Sequence, residues 1–218
     1  MSDYTLYIGN KNYSSWSLRP WLAMKVAGIP FEEKLIPMFD DDWKASITKV
    51  SPTAQVPVLT DGDLTIWETM AILEYMAERH PDKGLWPQDP AARSVARSMA
   101  NEMHAGFSAL RNNMLMNIRK PRPGKGMGEG VAKDIARIEE IWTDCRTRFG
   151  AGGDFLFGKF SNADAMFAPV VIRFTNHEVA LSDVSAAYRD AVQALPEMIQ
   201  WSDAARVEPW IIQKYELD

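Results

Sequence analysis

The chain has one cysteine, Cys145, and only three histidines, His80, His104 and His177, in 218 residues. An intramolecular disulfide is excluded, and no cysteine or histidine group has the close spacing of a zinc site. Positive charge is also short: 24 basic against 29 acidic side chains leave a net charge of −5. Nothing therefore draws the chain electrostatically to nucleic acid or anionic lipid. No segment approaches the roughly 20 apolar residues of a membrane span, and the opening MSDYTLYIGN lacks the basic start and apolar run of a secretory leader. The expectation is a cytoplasmic protein without a metal site, a nucleic-acid partner or a membrane partner. What remains is an ordinary globular composition, 46% hydrophobic and 24% charged, enough for a real core in one compact unit or two modest ones.

Two regimes follow one another along the chain. Tyr4 to Gly9 has strand composition, a polar stretch follows, and Leu18, Trp21, Leu22 and Val26 recur at helical spacing up to Gly28 and Pro30. Residues 31–37 read as a second strand and 43–50 as a brief helix stopped by Pro52. Two more short strands, 56–60 and 64–67, flank Asp61-Gly62-Asp63 and predict a hairpin with Asp-Gly in the turn. A helix then opens at Glu68, with Met70, Ile72, Leu73, Tyr75 and Met76 on its apolar face. The expected order is β-α-β-α-β-β-α for residues 1–80. A polar, proline-containing stretch from 81 to 90 reads as a linker, and residues 91–218 read as helical throughout. Met99, Met103, Phe107, Leu110 and Met114 recur at spacings of four, four, three and four, which predicts one face of a single long helix serving as bundle core. Residues 120–130 carry two prolines and four glycines and read as a mobile connection. They lack the preceding strand and the Gly-Lys-Ser/Thr of a phosphate loop. Val131, Ile135, Ile138, Ile141 and Trp142 resume helical spacing in a second long helix, expected to run antiparallel to the first.

Three short motifs carry candidate chemistry. Ser14-Ser15-Trp16-Ser17-Leu18-Arg19 lies where a strand gives way to a helix, so hydroxyls and N–H groups gather at the positive end of the helix dipole, a place suited to an anion. A serine there also simply caps a helix, worth about 1 kcal/mol. Val56-Pro57 opens a strand, where proline is tolerated at the start or edge. Glu68-Thr69 places a carboxylate and a hydroxyl at the start of another helix, where capping again is the plain alternative. In the helical half, Ser161-Asn162-Ala163-Asp164 has the form of a capping box and is expected to serve folding.

In this order the motifs resemble the cytosolic glutathione transferase family over nearly the whole chain. Ser14-Ser15-Trp16-Ser17 is most similar to the serine-serine-cysteine signature of the zeta class, with Trp16 where that class usually has cysteine. The resemblance implies an α/β thioredoxin-like N-terminal domain over 1–80, the linker over 81–90, and an all-α helical-bundle domain over 91–218 that helps form the acceptor-substrate site. It implies glutathione as co-substrate, with Ser14 as the hydroxyl donating to the sulfur and Ser15 adding a donor to the same anion. Trp16, Val56, Pro57, Glu68 and Thr69 would bind the rest of the peptide. Pro57 would be cis, the Val56 backbone would pair with the cysteinyl backbone, Glu68 would attract the γ-glutamyl ammonium, and Thr69 would bond its carboxylate. Tyr13, Met103, Phe107 and Arg111, with Trp16, are acceptor-site candidates. Cys145 lies in the wrong half to form a mixed disulfide with glutathione and reads as packing. The implied activity is conjugation of glutathione to small electrophiles in a homodimeric enzyme. One alternative is a glutathione-dependent maleylacetoacetate-type cis-trans isomerase. That class carries an arginine where Asn176 stands here, with Arg173 one turn earlier. The alternative of another class is a non-catalytic regulatory or protein-binding module on the same fold.

Overall fold

A computed structural model describes residues 4–216. Strand β1 (Tyr4–Ile8) leads into helix α1 (Ser15–Val26), strand β2 (Glu32–Leu35) and the short helix α2 (Trp43–Ile47). The hairpin β3 (Val58–Asp61) and β4 (Leu64–Trp67) follows, then α3 (Thr69–Arg79). The four strands lie in the order β2-β1-β3-β4. β1 runs parallel to β2 across the α1 crossover and antiparallel to β3. This is the thioredoxin-like arrangement expected. Tyr4, Leu6 and Ile8 alternate inward, the period that a sheet with one covered face imposes. In the hairpin, Asp61 pairs with Leu64, so the two loop residues are Gly62 and Asp63, and Gly62 supplies the positive φ, +55°. Asp61 closes the ladder and does not sit in the turn.

The remainder is helical: α4 (Pro90–Ala105), α5 (Ser108–Asn113), α6 (Val131–Phe149), α7 (Asn162–Asn176), α8 (Asp183–Gln193) and α9 (Pro196–Arg206). The expected single helix under the methionine stripe is two. α4 stops at Ala105, Gly106 is extended, and Phe107 takes φ +58° before α5 begins. A Cβ at position 106 would stand 2.8 Å from the Glu102 carbonyl oxygen, so glycine lets the chain leave the helix at that point. The stripe survives because the break redirects the chain while Met99, Met103, Phe107, Leu110 and Met114 all stay buried. α4 and α6 are antiparallel: Glu102 pairs with Arg137, and Met99 lies against Cys145 further along α6.

Residues 120–130 form no helix, and they are tied down. Arg122 N–H donates to Asn176 O at 2.7 Å, Gly124 N–H to His177 O at 3.0 Å, and His177 Nδ1 lies 2.8 Å from Lys125 O. The mobile connection expected from the glycines is thus pinned to the end of α7, because these backbone groups find partners a distant helix offers.

Helix α7 is the axis of the helical half, buried at nearly every position from Asn162 to Phe174. Asp164 accepts the Ser161 N–H at 2.8 Å and the Leu156 N–H at 3.0 Å, closing the capping box. α7 packs on α1, and the principal apolar cluster runs unbroken from Leu6 and Ile8 of the sheet to Phe167 and Trp201. A small second cluster of Tyr13, Met38 and Ile212, with Trp43, Val56 and Tyr215 against it, lies beside the loop that opens α1. No helix among the described residues is long and apolar enough to cross a membrane.

Candidate functional site

The β1–α1 turn is built around serine hydroxyls. Ser14 is the N-cap of α1: its Oγ accepts the Ser17 N–H at 3.3 Å and donates to Ser17 Oγ at 2.7 Å. Ser17 Oγ in turn accepts the Gly9 N–H at 3.0 Å, locking the end of the strand to the first helical turn. The capping alternative is therefore real for Ser14. It does not exhaust the site, since a hydroxyl proton redirects by rotation alone. Ser15 stands one residue on, its carbonyl held by Arg19 Nη1 at 2.9 Å, and its hydroxyl bonds to nothing among the described residues.

Pro20 lies inside α1 and brings no N–H to the carbonyl four residues back, that of Trp16. The Thr69 hydroxyl donates to that carbonyl at 3.1 Å. The hydroxyl expected to meet a ligand carboxylate thus joins α3 to α1, and the ligand-facing donor left at this point is the Thr69 N–H, one of the first N–H groups of α3 that have no intrahelical partner.

The Val56–Pro57 peptide bond is cis. Ser51 Oγ satisfies both backbone groups of Gln55, accepting from its N–H and donating to its carbonyl. The N–H and C=O of Val56 bond to no group among the described residues, which leaves a short free edge of extended chain. Glu68 makes no capping bond, takes φ +70°, and turns its carboxylate toward His104, with Oε2 and Nε2 3.2 Å apart. A positive φ at a non-glycine residue is a sparsely populated conformation of the kind that gathers at functional sites.

Two adjoining cavities share Trp16, Gln55 and Val56. The smaller, about 200 Å³, is closed by Thr53, Pro57, Glu68, Thr69 and His104. The larger, about 390 Å³, includes Tyr13, Ser14, Ser15, Arg111, Arg173 and Tyr215 in its wall. Trp16 lies under two guanidinium groups, Arg19 at 4.2 Å and Arg111 at 5.3 Å from its ring. Burial lowers the pKa of Arg19, Arg111 and Arg173, the last to about 10, and the neighbouring positive charges add to the effect at Arg19 and Arg173. Arg111 and Arg173, which are in the wall of the larger cavity, remain protonated at neutral pH and make it a positively charged chamber.

Of the residues singled out from the sequence, Ser14, Ser15, Trp16, Val56, Pro57, Glu68 and Thr69 come together along the two cavities, with Tyr13 and Arg111 on the larger. The Tyr13 hydroxyl is spent on the chain's C-terminal end. It donates to Glu216 at 2.6 Å and accepts from Arg119 at 2.8 Å, and burial with the Glu216 bond raises its pKa. Met103 and Phe107 do not line either cavity: both are packed into the principal core cluster, Met103 on the buried face of α4. Cys145 is buried against Met99, its thiol pushed up to about 12 by burial. His104, Gln55 and Tyr215 belong to the walls and carried no local signal in the sequence. His104 adjoins the apolar stripe, and its position at the end of α4 becomes meaningful only where α4 ends. Among the described residues no group of acidic, histidine or cysteine side chains could hold a metal ion.

Residues 13–79 match the glutathione S-transferase N-terminal domain family. The chain is 28% identical over 181 residues to the maleylacetoacetate isomerase of Rattus norvegicus and 26% identical over 181 residues to the probable maleylacetoacetate isomerase of Caenorhabditis elegans, with 81% of each chain covered in both pairs. Its fold superposes on a glutathione transferase homologue from Burkholderia, solved with bound glutathione. The TM-score is 0.72 at 22% identity, covering 94% of this chain and 99% of that one.

Proposed function

We propose, for a chain whose residues 13–79 match the glutathione S-transferase N-terminal domain family and which is similar to a zeta-class glutathione S-transferase, that the two cavities bind glutathione and activate its thiol for attack on small electrophiles. The observation that carries this reading is the unpaired backbone edge of Val56, on the wall shared by the cavity that holds Glu68 and the cavity that holds Ser14 and Ser15. A γ-glutamyl-cysteinyl peptide paired there puts its ammonium by the Glu68 carboxylate, its carboxylate at the N-terminus of α3, and its sulfur at the N-terminus of α1.

The chemical need is a thiolate. A free cysteine-type thiol with a pKa of about 8.5 is mostly protonated at pH 7. A hydroxyl donor from Ser14, the helix end and the nearby guanidinium groups all favour the charged sulfur. Serine here stabilises the nucleophile and forms no bond to substrate. The electrophile enters the larger cavity beside Trp16, and the thiolate adds to it.

The arginines favour one further reading at the same site. Arg111 and Arg173 line the chamber with no direct salt bridge to a carboxylate among the described residues, Asp134 acting on Arg111 only at longer range, which suits an acceptor that is itself an anion. A cis-trans isomerase of an unsaturated dicarboxylic acid is such a case: thiolate adds to the double bond, the resulting single bond rotates, and elimination returns the free thiolate. Asn176 lies off this wall, bonded to the Asn117 carbonyl at 2.7 Å, and Arg173 takes its place. The boundaries at 80 and 90, a homodimeric assembly and a cytoplasmic location belong to the same proposal.

The test is calorimetric titration with glutathione together with ultraviolet absorbance of the bound thiolate, on the wild type and on Glu68→Gln. Micromolar to low-millimolar binding with a depressed thiol pKa, weakened about tenfold or more in Glu68→Gln, is expected for loss of a charge-assisted contact. Absence of glutathione binding by the wild type refutes the reading and leaves the non-catalytic module as the account of the fold.

A further inference from the structure

The smaller cavity has one wall residue from the helical half that neither the motifs nor the chemistry above has used. His104 lies in the last turn of α4 and its Nε2 is 3.2 Å from Glu68 Oε2. Its ring meets the edge of Trp16 at 5.2 Å between centroids, and its carbonyl accepts Arg111 Nη1 at 3.2 Å. The imidazole is thus held from two sides, by Trp16 of α1 and by Glu68 at the start of α3, while the bond from Arg111 of α5 fixes the backbone that carries it, and the charged groups about it are Glu68 and the Arg111 guanidinium.

Stability does not explain the pair. The two side chains are 33% and 51% exposed, and pairs in such settings contribute little to folding. The Glu68 side chain for its part makes no other hydrogen bond among the described residues: it caps no helix, although the residue stands in the N-cap position of α3 and its backbone carbonyl accepts the Ile72 N–H at 3.0 Å. Without His104 its carboxylate would turn freely about three side-chain bonds, and binding a ligand would require ordering it.

We infer that His104 is a positioning residue for the γ-glutamyl end of glutathione: its Nε2–H holds one oxygen of the Glu68 carboxylate so that the other faces the ligand's ammonium. This rests on the glutathione reading above and adds to it a contribution from the helical half. The two halves of the chain then meet at both ends of the peptide, at the γ-glutamyl group through His104 and at the acceptor chamber through Arg111 and Arg173.

A peptide that lacks the ammonium separates this role from a structural one. Glutaryl-cysteinylglycine is glutathione without its amino group and has nothing to gain from an oriented Glu68. Calorimetric titration of wild type, His104→Ala and His104→Gln with both peptides is the experiment. His104→Ala should weaken glutathione by about fivefold, the scale set by ordering one long side chain, and leave glutaryl-cysteinylglycine unchanged. His104→Gln, which still offers an N–H to Glu68, should restore most of the loss. In turnover, His104→Ala should raise the KM for glutathione and leave kcat at saturation unaltered. Equal weakening of both peptides, or none of either, overturns the inference while wild-type glutathione binding stands. A wild type that binds no glutathione overturns both the inference and the reading beneath it.

Discussion

Ser14→Ala tests the proposed activation most directly. The hydroxyl is engaged twice with Ser17, at 3.3 Å as acceptor and 2.7 Å as donor. The capping bond is long and its loss costs about 0.5 kcal/mol, and losing the bond to Ser17 Oγ adds about 1 kcal/mol. In a chain of this size that lowers the Tm by about 3–6 °C, and the variant should fold. The effect on the ligand is larger. One hydrogen bond to a charged sulfur is worth about 1.5–3 kcal/mol, and about 1.36 kcal/mol corresponds to a tenfold change in ionisation. Removing the donor should therefore raise the pKa of the bound thiol by about one to two pH units. Thiolate absorbance of bound glutathione against pH reads this shift without an acceptor. With an electrophile present, turnover at about pH 6.5 should fall tenfold or more, and the two proteins should converge above about pH 9, where the thiol ionises unaided. Ser15→Ala, which removes a hydroxyl bonded to nothing among the described residues, is the control. A thiol pKa unmoved by Ser14→Ala but raised by Ser15→Ala would transfer the role to Ser15, and no shift in either variant would refute hydroxyl activation altogether.

Two further outcomes follow from buried groups. Asp164 is fully buried, and burial outweighs the hydrogen bonds it accepts from the Leu156 N–H and from the Ser161 N–H and hydroxyl to raise its pKa from 3.8 to about 6. Folding thus favours the protonated acid. The stabilisation tied to that proton is complete below about pH 4 and is lost as pH rises through 6, about 3 kcal/mol in all. Asp164→Asn carries no such term, and one of the buried N–H donors loses its acceptor. Its deficit against wild type in urea denaturation should be largest near pH 4 and shrink by pH 7; a deficit constant across that window would contradict the burial argument. Cys145, 2% exposed with a thiol at about 12, should react with thiol reagents only on the unfolding timescale. Cys145→Ser should leave glutathione turnover unaltered, and fast labelling of the native protein would show the site to be open.

The sequence carried what is periodic and local. Alternation from Tyr4 to Ile8, the Ser161–Asp164 spacing and the Val56-Pro57 and Glu68-Thr69 pairs each report on a few neighbouring residues, and each has its structural counterpart. What it withheld is where polar atoms at long range find partners. Nothing near Tyr13 announces Glu216, 203 residues away, and nothing near Thr69 announces the Trp16 carbonyl. The break under the methionine stripe escapes the hydrophobic pattern for a related reason. A break that preserves the buried face leaves the hydrophobic period intact, so only Gly106 hinted at it, and glycine alone does not decide a helix end. Residues 120–130 show the converse: glycine-rich composition reports conformational freedom of the isolated chain, and tertiary hydrogen bonds to Asn176 and His177 take that freedom away.

Pro20 has a consequence that reaches beyond α1. Most interior prolines bend or loosen the helix that holds them; here the carbonyl left without its helical donor is engaged by Thr69, and the defect in one helix has become the fastener between two. In the proposed reading α1 carries the hydroxyls that meet the sulfur and α3 opens on the groups that meet the γ-glutamyl end, so this bond ties the two walls of the site together. Under that reading glutathione would meet two walls already set against each other, with the entropy of setting them lost during folding and not during binding. Substituting Pro20 by a good helix former would strengthen α1 by its own accounting, yet would offer the Trp16 carbonyl a rival donor. A more regular helix at this point is thus a looser tie between the two walls of the site.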